Sequence, residues 1–560
     1  MRIIILLTCL ITFLKLQAQI NPSPKYFSSP VEGTLKVSSN FGKIRENHFH
    51  AGLDINTNLH SGVSILAAGE GYISRVNISP SGYGKAVYIT HPNGLVTVYG
   101  HLSEIRKDVS DSIKKFQYLV KRFAVDMKFP EGKFKVKKGE VIGKSGNTGN
   151  SFGAHLHFEV RDEVSEHILN PFNFGFNIPD NAAPVFNRAY FYRYIMHENR
   201  PVLIKREKIK INNGDTVSTF NFLGIGIEVI DYLSRNKGNF DPWQVKMYSN
   251  DSLVFHYRFD SFSFDEARYV NSFSDYAEYR LNRTKIIKCF IEPNNKLKIY
   301  KTSGNGLLNV EDGKVQKIKI LASDYKGNTG KLSFYIKSDS SESVNVQNTF
   351  PWVKKLNCCE ATNFVTDSFR IFFTENSLFN DLNFNYSVSA TKANEFSKYH
   401  LIHYPDVPIM EKAEIEIKPI KDPDSLSSKL FIARAGNKGA IIPAGGTWSE
   451  GFLKTSINQF GTYFIEIDTM PPTINPVVLK SDKHKSKSRL QFKIQDKQSG
   501  ISEYAVYIDE KWVLFEFDQK NDLISCNLLN ENIKKGKHNL IIWVRDKCNN
   551  LGFYEKEIEI

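Results

Sequence analysis

Along most of this chain, apolar positions alternate with polar ones in short runs. Segments rich in Tyr, Phe, Ile and Val are divided by Asn, Asp and Gly, as in Ile227-Glu-Val-Ile-Asp231, Phe492-Lys-Ile-Gln-Asp496 and Leu540-Ile-Ile-Trp-Val-Arg-Asp546. Alternation of period two marks half-buried strands, and many short strands between turn residues predict β-sandwiches. Two stretches break the pattern. Residues 1–18 run from Met-Arg through an apolar core to Leu16-Gln-Ala18, the build of a signal peptide with a small residue at the cleavage site. Within residues 104–130, Ile105, Val109, Ile113, Phe116, Val120 and Phe123 recur at steps of three and four, which predicts an amphipathic helical insertion. Lys114, Lys115, Lys121 and Arg122 fall on its other face. The helix is expected either to pack on a sheet or to wall a groove.

At 560 residues the chain is too long for one core, and about three to five domains are expected. Turn-rich or Ser-rich boundaries fall at Pro179-Asp-Asn-Ala-Ala-Pro184, Ser338-Asp-Ser-Ser-Glu-Ser343 and Asp468-Thr-Met-Pro-Pro-Thr473. They divide the chain after its leader into a domain over 19–178 and modules over 179–338, 345–467 and 468–560. The first and last modules read as diverged copies of an immunoglobulin-like unit. Each opens with proline and carries two strands ending in aspartate, Asp231 and Asp324 in one, Asp496 and Asp546 in the other. The block 345–467 reads as a third sandwich, so the fold class is mainly β throughout.

Composition narrows the partners. The net charge of +13 is spread along the chain, and the 13% of aromatic residues sit in no nucleic-acid-binding motif, which excludes nucleic acid as the expected partner. No segment after the leader approaches the ~20 apolar residues of a transmembrane helix, so no transmembrane segment is expected. The protein should be exported, to the periplasm, the cell envelope or the outside. Cys289, Cys358, Cys359, Cys526 and Cys548 have no metal-binding spacing; Cys526 and Cys548 share a module and are candidates for a disulfide.

The chemistry concentrates in His50-Ala-Gly-Leu-Asp54 and His155-Leu-His157, with His101 between them in Tyr99-Gly-His-Leu-Ser103. At strand spacing His50 and Asp54 project together, with Gly52 leaving the space above the backbone open, and His155 shares a face with His157. Imidazole and carboxylate suit Zn²⁺, and three protein ligands plus an open position make a catalytic zinc. Spacing alone leaves open which of the histidines are ligands.

Residues 36–162 resemble the lysostaphin/LytM-type zinc metallopeptidases, which cut the peptide part of peptidoglycan. The resemblance is carried by Ser39-Asn-Phe-Gly42, His50-Ala-Gly-Leu-Asp54, Val63-Ser-Ile-Leu-Ala-Ala-Gly-Glu-Gly71, Val98-Tyr-Gly-His-Leu-Ser103, Val136-Lys-Lys-Gly-Glu-Val-Ile-Gly143, Ser145-Gly-Asn-Thr-Gly149 and His155-Leu-His-Phe-Glu159. It implies an antiparallel β-sheet domain in which His50, Asp54 and His157 bind one Zn²⁺ per chain and His101 and His155 are catalytic proton-transfer groups. The implied function is an exported zinc metalloendopeptidase that hydrolyses peptide cross-links of peptidoglycan by zinc-activated water, D,D-cross-links first. A glycine-bridge endopeptidase is the alternative within the family. The alternative of another class is a catalytically idle wall-binding protein that recruits another hydrolase. Arg45, His48 and Asn147 are candidate supports of the ligands or substrate contacts, and His91 is expected to make a structural hydrogen bond. The C-terminal modules are candidate surfaces for envelope protein partners.

Overall fold

The computed structural model describes residues 26–560 apart from 177, 198–199, 235–237, 303, 312, 340–351, 394–395, 478–488 and 532. The leader expected at residues 1–18 lies outside the described residues.

Seven strands form the continuous path of the ten-stranded main sheet: β1 (Val37–Ser39), β2 (Leu53–Asn56), β3 (Gly71–Ile78), β4 (Lys85–Thr90), β5 (Leu95–Gly100), β6 (Val125–Lys128) and β7 (His155–Asp162). Their order is β1-β2-β7-β5-β4-β3-β6, with every neighbour antiparallel. The central strand β7 sets the site. Leu156, Phe158 and Val160 point into the core and are fully buried, which sends His155, His157, Glu159 and Arg161 to the opposite face. The register places His157 beside Asp54 of β2 on one side and beside Gly100 of β5 on the other. The glycines of the motif serve this close packing. A Cβ on Gly52 would lie 2.2 Å from the Phe158 carbonyl oxygen, so β7 fills the space that the sequence suggested was open.

The insertion is a helix followed by a strand. Helix α1 (Lys107–Val120) buries Val109, Ile113 and Gln117 and ends on Lys121 in the left-handed conformation. The chain then returns as β6 on the sheet edge. The apolar stripe packs on the domain core, and on the opposite face Lys115, Lys121 and Arg122 are exposed while Lys114 and Tyr118 are covered. Lys114 Nζ meets Glu531 Oε1 at 2.9 Å and the Tyr118 ring meets Trp512 edge-on, so α1 also carries the last module.

The rest of the chain is sheet on sheet. Residues 185–338 form two five-stranded sheets, one ordered 200–209, 185–197, 221–230, 287–288 with 308–310 also on 221–230. The other runs 216–219, 329–338, 315–323, 244–249, 252–258. Residues 362–467 give two more five-stranded sheets and 473–559 two four-stranded ones. Each of the last two pairs closes over its own apolar cluster.

The first sandwich instead shares a continuous core with the N-terminal domain. Phe49 packs on Phe259, Phe262 and Phe273 with ring centroids 5.0, 5.7 and 5.4 Å apart. Ile168–Leu169 pairs with Ser261–Phe262, and Asp241 Oδ2 accepts the Ile44 amide at 2.6 Å. The apolar interior runs on past residue 178, the boundary expected from the sequence. Cys526 and Cys548, the candidates for a disulfide, are both free. Cys526 lies in the core of the last sandwich, whereas Cys548 packs on Phe431, Ala433 and Phe464 of the preceding one.

Candidate active site

Antiparallel pairing of β2 with β7 brings three donor atoms to one point. His50 Nε2 lies 2.9 Å from Asp54 Oδ1 and 3.2 Å from His157 Nδ1, and His157 Nδ1 lies 3.0 Å from Asp54 Oδ1. His50 and His157 are both buried, 5% exposed each. The far nitrogen of each ring is engaged. His50 Nδ1 donates to the Asn40 carbonyl at 2.8 Å, and His157 Nε2 donates to Glu159 Oε1 at 2.8 Å. With those nitrogens protonated, the lone pairs of His50 Nε2 and His157 Nδ1 face each other beside a carboxylate. Such an arrangement repels itself unless a proton or a cation sits between the donors. Two imidazole nitrogens and a carboxylate oxygen are the donor set of a zinc site, so these residues fit the metal that the resemblance implies.

The electrostatics show the same demand. Burial pulls the His157 imidazolium down, but hydrogen bonds and charges from Asp54 and Glu159 outweigh it and hold its pKa up at about 9. Burial raises the Asp54 carboxyl, yet the His50 charge and the close polar contacts of His155, His157 and His50 keep it well below the usual carboxylate range. Burial lowers His50 more than Asp54 restores it. A proton on His157 thus answers the field that a cation would answer.

A second layer fixes the donors. Arg45 Nη2 donates to Asp54 Oδ2 at 2.8 Å and to Ser39 Oγ at 2.9 Å, which turns Oδ1 toward the histidines. Glu159 is fully buried and accepts from Arg161 and from the Tyr83 hydroxyl. Burial raises its carboxyl, but Arg161 and His157 bring it down to about 2. Tyr83 also stacks on the His157 ring, centroids 5.2 Å apart.

His101 and His155 stand beside this group, ring centroids 4.8 Å apart. His101 follows β5 in the left-handed conformation, φ 63°, and its Nδ1 donates to the Thr148 carbonyl at 2.8 Å. His155 Nδ1 donates to the Gly153 carbonyl at 2.8 Å, and its Nε2 lies 3.4 Å from Asp54 Oδ1. Each ring is therefore pinned through Nδ1 and keeps Nε2 as an acceptor. Burial, then the neighbouring His157 and His155, push His101 down to about 3, so it is neutral near pH 7.

Of the remaining candidates, Arg45 reaches the donors and the other two do not. His48 is exposed, with Nδ1 toward the Glu46 carbonyl. Asn147 lies in the loop before β7, where its carbonyl oxygen accepts from Lys520 of the last module. His91 is structural, held by the Glu70 carbonyl and Thr97. Tyr83, Glu159 and Arg161 were missed as site residues. The alternation of β7 carried the signal for the last two, since they continue the face of His155 and His157.

A family model described as peptidase family M23 matches residues 48–124 and 121–171, and one described as a Zu5-like domain matches 353–468. The chain is 30% identical over 150 residues to the DD-carboxypeptidase/endopeptidase Mpg of Neisseria meningitidis, a match covering 26% of this chain and 28% of that protein. It is 31% identical over 137 residues to the peptidoglycan DD-endopeptidase ShyA of Vibrio cholerae, covering 23% of this chain and 26% of that protein. Among solved structures, a point mutant of the catalytic domain of the prophage-encoded M23 protein EnpA from Enterococcus faecalis matches at 28% identity. That match covers 26% of this chain and 93% of the other, with a TM-score of 0.19. The N-terminal segment is a LytM-type M23 peptidase segment, and the matches span little more than a quarter of the curated relatives' own length.

Proposed function

We propose that the chain is an exported zinc metalloendopeptidase that hydrolyses the peptide cross-links of peptidoglycan, with direct D,D-cross-links as the first substrate. The observation that carries this reading is the convergence of His50 Nε2, Asp54 Oδ1 and His157 Nδ1 beside His101 and His155, each pinned through Nδ1. A zinc ion held by those three residues supplies Lewis acidity, which lowers the pKa of water and polarises a scissile carbonyl.

The chain's own groups do the rest. Arg45 and Glu159 hold Asp54 and His157 in their ligating orientations. One of His101 and His155 accepts the proton of the attacking water at Nε2, and an imidazolium of the pair returns a proton to the leaving amine. Pinning at Nδ1 leaves both rings the tautomer this requires. The names of the Neisseria and Vibrio relatives support the peptidoglycan substrate and the D,D choice, and an envelope location follows from that substrate. No helix among the described residues is long and apolar enough to cross a membrane. The C-terminal sandwiches position the peptidase and offer surfaces to envelope proteins.

Digestion of purified wall with the mature chain, with and without a zinc chelator, tests the reading by mass analysis of muropeptides. D,D cleavage converts cross-linked dimers to monomers and stops with chelator. Cutting confined to glycine-bridged wall selects the glycine-bridge alternative. An unchanged muropeptide profile with active controls selects the idle binding protein.

A further inference from the structure

Outside the peptidase site, two groups of three aspartates among the described residues bring carboxylate oxygens within 4.8 Å of one another: Asp180, Asp231 and Asp324, and Asp468, Asp496 and Asp546. We infer that each trio is a calcium-type divalent-cation site that fastens the start of a sandwich module to the ends of two of its strands.

The first trio is charged, buried and incompletely satisfied. Asp231 is 5% exposed and Asp324 2% exposed. Asp231 Oδ1 is buried and meets no donor among the described residues. The charges acting most strongly on Asp231 are three more carboxylates, Asp180, Asp324 and Asp241, while Lys326 acts on Asp180. Buried carboxylates at such separations cannot all stay ionised unless a cation or protons intervene. A cavity of about 40 Å³ opens on Asp180 and Asp231, room for an ion and an accompanying water.

The second trio, in a separate module, repeats the hydrogen-bond frame of the first, although Asp496 is half-buried and its Oδ1 accepts the Gln498 and Gly500 amides. Asn328 donates its amide to Asp324 Oδ1 and its side chain to Asp324 Oδ2, at 3.0 and 2.7 Å. Asn550 does the same to Asp546, at 2.8 and 2.7 Å. The same asparagine side chains reach the Asp180 and Asp468 carbonyls, at 3.3 and 2.8 Å. Asp180 Oδ1 accepts from Ala182 and Asp468 Oδ1 from Met470, two residues on in each case. Gly330 and Gly552 both lie where a Cβ would strike the carbonyl of Pro184 or Pro472. Asp231 and Asp496 follow the ends of the middle strands, Asn221–Ile230 and Arg489–Gln495.

All-oxygen anionic donors with no histidine or cysteine select a hard cation, and Ca²⁺ tolerates the irregular shells that loops and water complete. Asp180 and Asp468 each stand at the entry of a module, so an ion there ties the incoming chain to the sandwich and stiffens the junction with the preceding domain.

The test uses the full zinc-loaded chain, depleted of calcium with a calcium-selective chelator and checked for retained zinc. Equilibrium dialysis with Ca²⁺ should give two ions per chain. Thermal unfolding should rise by about 5 °C or more at a hundredfold excess over Kd. Asp231→Asn and Asp496→Asn, both isosteric, should each lose one ion, and the double variant should lose the thermal response while keeping its zinc. Absence of Ca²⁺ binding at millimolar concentration overturns the inference, and that measurement needs no variant to fold. Two ions retained in the double variant overturn it equally.

Discussion

Glu159 Oε1 accepts the Nε2 hydrogen of His157 at 2.8 Å, and this bond decides which nitrogen of His157 faces Asp54 and His50. The carboxylate is held in turn by Arg161, whose Nη2 lies 2.6 Å from Oε2. Glu159→Gln removes the charge and lets an amide donor face the ring. Zinc affinity is expected to fall about 10–100-fold, the usual cost of losing such a support, measured by competition with a chelator of known affinity. Unchanged affinity would show that His157 is oriented by something else.

Gly52→Ala tests the packing that builds the site. The added Cβ would sit 2.2 Å from the Phe158 carbonyl, a backbone atom of the neighbouring strand that has no alternative position within the sheet. Parting β2 from β7 should cost about 3 kcal/mol or more and separate Asp54 from His157. Denaturant unfolding and zinc content report the two effects, and a stable, fully zinc-loaded variant would refute the close approach.

The last module reaches the loop that supports His155. Lys520 Nζ donates to the carbonyls of Asn147 and Ser151, and Ser151 Oγ lies 3.2 Å from His155 Nδ1. Lys85 at the start of β4 pairs with Glu516 of the same module at 2.7 Å. Lys520→Ala should therefore change kcat on a small soluble cross-linked peptide several-fold without altering zinc content. An increase means the module restrains the loop and a decrease means it supports it. An identical kcat would show that the contact is not coupled to turnover.

Acid should weaken the middle sandwich. Burial holds His400, further lowered by Lys398, and His403 down at about 4, and both rings are stacked among Phe369, Phe384 and Tyr386. In the unfolded chain each titrates near 6.5. Between these values the unfolded state binds more protons, so stability is full above about pH 6.5 and falls as the pH drops toward 4, by a few kcal/mol for the pair. Hydrogen exchange of residues 398–403 and 430–435 at pH 7.5 and 5 measures this, and His400→Gln with His403→Gln should flatten the difference. Equal protection at both pH values in the natural chain would contradict it.

How much of this was legible in the sequence depended on how local the cause was. The strand alternation of His155, His157, Glu159 and Arg161 marks one face of β7 without any knowledge of its neighbours, and the helix over 107–120 follows from the spacing of Val109, Ile113 and Phe116. Gly52 was misread because its role is set by Phe158, more than a hundred positions away, and no pattern near Gly52 encodes that approach. The same holds for Lys114 and Tyr118, which face a module some four hundred residues further on, whereas Arg45, a candidate support in the sequence, does reach Asp54. The paired aspartates lay between these cases. Their recurrence at strand ends was visible, but their convergence with Asp180 and Asp468 needed the fold.

The most direct measurement follows zinc and turnover together in His155→Ala, with Asp54→Ala alongside, on a defined cross-linked muropeptide. A three-ligand site with His155 as a proton-transfer group requires that His155→Ala keep one zinc per chain while kcat falls about 100-fold or more, and that Asp54→Ala lose the metal. Zinc lost from His155→Ala, or turnover retained in it, would contradict that assignment.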